Sequence, residues 1–135
     1  MGQSLGASLS IYSVAHSRYR DRIAALVSVA AFSDYHEIAQ DALSSSWMFW
    51  LFQWPLSKTI NNTYSPIKIV DRVSPVPLYV LHSHEDGIIG FHHAQTLYDA
   101  ALEPKQLVVL DGTHNATFNL DSNRQRLLDV LKVIE

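Results

Sequence analysis

Three short apolar runs, from Ile23 to Ala30, from Leu78 to Leu81 and from Gln106 to Leu110, are nearly continuous rather than alternating. A strand with this pattern is covered on both faces, as happens in parallel sheets sandwiched by helices. Helical patterns surround the runs, over Leu5 to Arg20, His93 to Leu102 and Asp121 to Ile134. Strands joined by helical crossovers must lie parallel. The sequence therefore predicts an α/β fold, a three-stranded parallel sheet with flanking helices.

Breakers mark the limits of these elements. Ser74-Pro75-Val76-Pro77 precedes the second run, Gly87 and Gly90 mark the loop after it, and Pro104 stops the helix before the third. The last helix is expected to bury Leu127, Leu128, Leu131 and Ile134. A chain of 135 residues, 47% of them hydrophobic, has enough apolar content for one domain spanning residues 1–135.

The absence of cysteine excludes a disulfide scaffold, a thiolate zinc site and a cysteine nucleophile. Ten basic against 13 acidic residues give a net charge of -3, which is no footprint for nucleic acid. The most apolar, aromatic-rich stretch, Trp47 to Leu56, is half of the roughly 20 residues a membrane-crossing helix needs, so no transmembrane span is expected. The first residues lack a basic segment followed by an apolar run, which favours a cytoplasmic location.

Residues 34–62 read as a lid-like insertion. All three tryptophans fall between Trp47 and Trp54, bracketed by Ser44-Ser45-Ser46 and Pro55. Such a cluster either packs its rings on the core or caps an apolar pocket, and it could also meet lipid or another subunit. In the pocket reading Trp47, Trp50 and Ile88 contact substrate.

Gly2-Gln3-Ser4-Leu5-Gly6 is G-x-S-x-G directly before a helical pattern. In a nucleophile elbow the glycines allow a sharp turn and close approach of neighbouring elements. The serine hydroxyl is left exposed at the helix start, and the next amide, that of Leu5, faces a developing oxyanion. A serine needs a histidine to take its proton, and the histidine needs a carboxylate to fix its tautomer. Asp86 follows the second run and His114 the third, so Ser4, Asp86 and His114 occur in the chain order this fold uses. All three fall at carboxyl ends of strands, where open α/β sheets carry their sites. Asp34, Asp71 and Asp111 are rival carboxylates, Asp34 the better placed and Asp111 more suited to shaping the turn before Gly112.

A metal hydrolase is the competing class. His82-Ser83-His84-Glu85-Asp86 is H-x-H-x-D, and His92, His93 and His114 could add ligands. Residue 87 is glycine where the metallo-β-lactamase pattern wants histidine, and strand-helix alternation does not suit that fold. His82 is better read as a strand-end residue packed near the acid loop and His84 as a solvated one, with His16, His36, His92 and His93 at the surface or in caps. No metal or other cofactor is expected.

Over essentially all its length the sequence resembles the C-terminal half of an α/β-hydrolase, and it is most similar to the Bem46-like serine hydrolases. The elbow matches, His82 to Gly90 matches the family's H-G-x-x-D-x-I-V-P block, and Gly112-Thr113-His114-Asn115 matches its G-x-H-N block. Ser83 stands for the usual glycine and Gly90 for the usual proline. The resemblance implies Ser4 as nucleophile, Asp86 as orienting acid, His114 as general base and Leu5 as an oxyanion donor. In the family a central strand precedes the elbow and a second oxyanion donor comes from further upstream; neither is present here. The expectation is thus an esterase-like enzyme acting on a small acyl substrate. The alternative is a silent hydrolase fragment or interaction module, whose sheet a second copy or a partner chain completes.

Overall fold

The computed structural model describes residues 1–44 and 62–134. Its centre is a parallel sheet of four strands in sequence order: β1 (Gly2–Gln3), β2 (Leu26–Val29), β3 (Leu78–Ser83) and β4 (Lys105–Leu110). The sheet has one strand more than the three the apolar runs predict. The addition, β1, is only two residues long, too short to leave a hydrophobic pattern.

Among the described residues there are four α-helices, α1 (Leu5–Ala15), α2 (Tyr35–Ser44), α3 (Phe91–Ala100) and α4 (Asp121–Ile134), of which α1, α3 and α4 pack on the sheet. Helix α1 ends five residues before the predicted Arg20, where the hydroxyl of Ser17 accepts the amide of Tyr19 at 3.1 Å and turns the chain. Side chains alternate strictly across β2 and β3. Leu26, Leu78 and Val80 face a core with Ala7, Ile11 and Val14 of α1 and Ala94 and Leu97 of α3. Val27, Val29 and Leu81 face a second core, with Leu110 and Val130. Helices on both faces explain why the strands are apolar throughout.

The last helix presents a different face from the expected one. Asn123 and Val130 are buried, with Leu127 and Ile134 partly so, a row spaced four, three and four residues along one side. Leu128 and Leu131, one position off that row, are exposed. Among the described residues no helix is long and apolar enough to cross a membrane. Trp47 and Trp50, and most of the 34–62 segment, lie outside the described residues; its first part forms α2.

Candidate active site

The candidate residues Ser4, Asp86 and His114 lie at the carboxyl edge of the sheet, each just after a strand. The register row Gln3, Val29, Leu81 and Val108 runs across all four strands, and Ser4 stands one residue beyond it. Its amide donates to the carbonyl of Val29 at 2.9 Å, holding it to β2, while its carbonyl accepts the amides of Ala7 and Ser8 to start α1. Ser4 has φ 52° and ψ -125°, a conformation that side-chain-bearing residues rarely adopt. Such a residue persists only where its surroundings over-determine it, as they do here with a strand on one side and a helix on the other.

Gly2 makes that turn sterically possible. A Cβ there would lie 2.5 Å from the carbonyl oxygen of Gly6 and 2.7 Å from Oγ of Ser10. A Cβ on Gly6 would meet nothing among the described residues, so the two glycines of the motif are not equivalent. The amide of Leu5, first in α1, has no acceptor among the described residues, and the side chain of Leu5 is exposed.

Asp86 sits in the loop after β3 and is buried. Its Oδ1 accepts the amides of Ile88 and Ile89, each at 2.9 Å. Its Oδ2 lies 2.6 Å from Nδ1 of His114, in the loop after β4. The carboxylate is thus anchored through one oxygen and offered to the imidazole through the other, which fixes Nδ1 as the protonated nitrogen and leaves Nε2 with a free lone pair. The side chain of Ile88 projects outward from the same loop and is exposed.

His82 ends up beneath this pair, fully buried, as its strand-end position suggested. Its Nε2 lies 2.7 Å from the carbonyl oxygen of Ile89 and 3.5 Å from Oδ2 of Asp86. Burial pushes its imidazole below the ordinary histidine range, against the pull of that carbonyl and of Asp86. The neutral ring therefore donates from Nε2 and braces the acid loop. His84 stacks on Phe91 with ring centroids 3.7 Å apart. The H-x-H-x-D run is accordingly divided among a packing role, a stacking role and the carboxylate.

The rival carboxylates are otherwise engaged. Asp34 caps α2, its Oδ1 accepting the amides of His36 and Glu37 at 2.8 and 3.1 Å. Asp111 accepts Arg126 at 2.8 Å and Ser122 at 3.1 Å, both on α4. Asp71 is exposed on a short helical turn away from the strand ends.

Two residues were misjudged or missed from sequence. His93, expected at the surface or in a cap, is fully buried because the first turn of α3 packs under Ser33, whose amide and hydroxyl both face its Nδ1 at 3.2 and 2.7 Å. Asn123 is buried in α4, accepting the amide of Asp111 at 2.9 Å and donating to the carbonyls of Asp111 and Thr117 at 2.7 Å each. It thereby fixes both ends of the loop that carries His114. A polar residue on the inward row of α4 was the available signal.

No family model matches this sequence. The uncharacterized protein YfhR of Escherichia coli (strain K12) is 29% identical over 134 residues, which are 96% of this chain and 43% of YfhR. The chain thus spans less than half the length of that relative. Among solved structures, the esterase domain of a Rhodothermus marinus protein superposes with a TM-score of 0.69 at 19% identity, over 96% of this chain and 55% of that one. The α/β hydrolase GrgF from Penicillium sp. sh18 gives 0.68 at 18% identity, over 97% of this chain and 61% of GrgF. The fold is that of the α/β hydrolases, with this chain corresponding to part of it.

Proposed function

We propose that this chain carries the catalytic half of a serine hydrolase of the Bem46-like type. It cleaves an ester, thioester or amide through an acyl intermediate on Ser4. The observation that carries the reading is the 2.6 Å contact between Asp86 and His114, made at the sheet edge where Ser4 holds its strained turn. In this mechanism Nε2 of His114 takes the proton from the Ser4 hydroxyl as Oγ attacks the acyl carbonyl. The oxyanion that forms is met by the amide of Leu5. The imidazolium then protonates the leaving group, water repeats the sequence in reverse, and the acid is released. Asp86 keeps its negative charge throughout and stabilises the imidazolium. The lid-like reading of Trp47 and Trp50, together with the exposed Ile88, leans toward an apolar acyl group.

A second reading is supported by the two-residue β1 at the sheet edge, an edge with which another strand could pair. In it the chain is silent alone and acts, or binds, only when another chain completes the sheet. The deciding experiment is intact mass after incubation with a fluorophosphonate probe. A single adduct on the wild type that is absent from Ser4→Ala supports the hydrolase. A folded, monodisperse chain that stays unlabelled overturns it and favours the partner-completed reading.

A further inference from the structure

Away from Ser4, one face of α2 meets the first turn of α3 through four ligand-type side chains. Glu37 and Asp41 are four residues apart on α2 and so share a face. His92 and His93 open α3. Nε2 of His92 lies 3.5 Å from Oε1 of Glu37 and 3.4 Å from Oδ2 of Asp41, and Nε2 of His93 lies 3.3 Å from the same Oδ2. Ligand atoms of Glu37, His92 and His93 all fall within 4.8 Å of one another.

These separations lie at or beyond the long end of N–H···O hydrogen bonds, most of which fall at about 2.7–3.2 Å. The three separations, 3.3–3.5 Å, are close to the edge of a tetrahedron: zinc bound at about 2.0–2.1 Å by nitrogen and oxygen holds its ligands roughly 3.3–3.4 Å apart. A second observation points into the same space. His93 is fully buried, and its Nε2 has no hydrogen-bond partner. A third concerns Gly90, the position where the resembled family carries proline. A Cβ there would lie 2.6 Å from Nδ1 of His92, so glycine gives that ring room to lie with Nε2 toward the carboxylates.

We propose that Glu37, Asp41, His92 and His93 form a binding site for a divalent first-row metal ion, with zinc the best match. Nε2 of each histidine, Oδ2 of Asp41 and Oε1 of Glu37 are the ligands. Behind His93, Nδ1 lies 2.7 Å from Oγ of Ser33, and that hydroxyl donates to Oε2 of Glu37 at 3.0 Å. With a metal on Nε2 the ring proton would sit on Nδ1 and be offered to Oγ of Ser33, which donates to Oε2 of Glu37, an outer hydrogen-bond chain of the kind that orients a metal-ligating histidine. The amide of Ser33, 3.2 Å from Nδ1, favours the opposite tautomer when no metal is bound, so loading moves the ring proton from Nε2 to Nδ1. The ion would clip α2, at the start of the 34–62 segment, to the helix that follows the acid loop.

The test uses the purified full-length chain and zinc alone, and does not depend on hydrolase activity. Native mass should show one zinc per chain, and competition against a chromophoric chelator gives its affinity. His92→Ala and Asp41→Asn, both at partly exposed positions, should each weaken binding at least tenfold, while His16→Ala leaves it unchanged. Nitrogen-15 shifts of His93 should show Nε2 passing from protonated to metal-bound. No zinc on the wild type, or undiminished binding in the two variants because the ion sits elsewhere, overturns the proposal.

Discussion

Nδ1 of His114 and Oδ2 of Asp86 are 2.6 Å apart, and the other oxygen of the same carboxylate is held by the amides of Ile88 and Ile89. The two jobs of Asp86 are therefore separable. Asp86→Asn keeps an oxygen for the two amides but turns an amide N–H donor toward His114, which reverses its tautomer. Fluorophosphonate labelling of Ser4 should slow by about 10⁴ while the thermal midpoint changes little, since tautomer loss costs about that factor in a serine triad. Labelling rate and circular dichroism melting on the same samples check both halves.

Asn123 holds the His114 loop from the far side, through three hydrogen bonds to backbone groups of Asp111 and Thr117. Asn123→Ala leaves these groups unpartnered in a buried place, at about 1–3 kcal/mol for such an orphaned group. Stability should fall by about 2–4 kcal/mol in urea unfolding. Labelling of Ser4 should slow as well, although Asn123 touches neither Asp86 nor His114 side chains.

His82 supplies a pH signature. Its folded pKa lies below its ordinary 6.5 because burial disfavours the charged ring. Between those two values the unfolded chain binds the extra proton, so stability falls as pH drops below about 6.5, with a slope approaching about 1.4 kcal/mol per pH unit. Above that pH this group contributes no slope. His82→Gln keeps an N–H for the carbonyl of Ile89 and does not titrate. Urea midpoints at about pH 5.5 and 7.5 should differ less in the variant than in the wild type; equal differences would mean that His82 is not the titrating group.

Particular residues show how much of this was legible beforehand. The runs Ile23–Ala30 and Leu78–Leu81 were readable because burial on both faces writes itself as unbroken apolar sequence, whereas Gln106–Leu110 is apolar although β4 is only partly buried, with Val109 exposed. The order Ser4, Asp86, His114 could be read because strand ends locate the loops, and the fold brings the last two into contact. The two-residue β1 was not, since only pairing with Ser28 and Val29 defines it. His93 was missed for a related reason: which side of α3 faces Ser33 is decided by the packing of α2 and α3, and no local pattern in His92-His93 distinguishes the exposed ring from the buried one.

The elbow glycines make opposite predictions. Gly2→Ala puts a methyl 2.5 Å from backbone at Gly6, and backbone cannot yield as a flexible side chain does. The elbow must open, at about 1–3 kcal/mol for an overpacked site. Ser4 then leaves its strained conformation, so labelling should fall together with stability. Gly6→Ala adds a methyl in open space within the first turn of α1, where alanine favours helix by up to about 1 kcal/mol over glycine. Its stability should hold or rise. Any loss of labelling in Gly6→Ala without loss of stability would then report on the approach of substrate to Ser4 rather than on the turn. Melting and labelling of the two variants side by side separate a glycine the backbone requires from one that only the substrate requires.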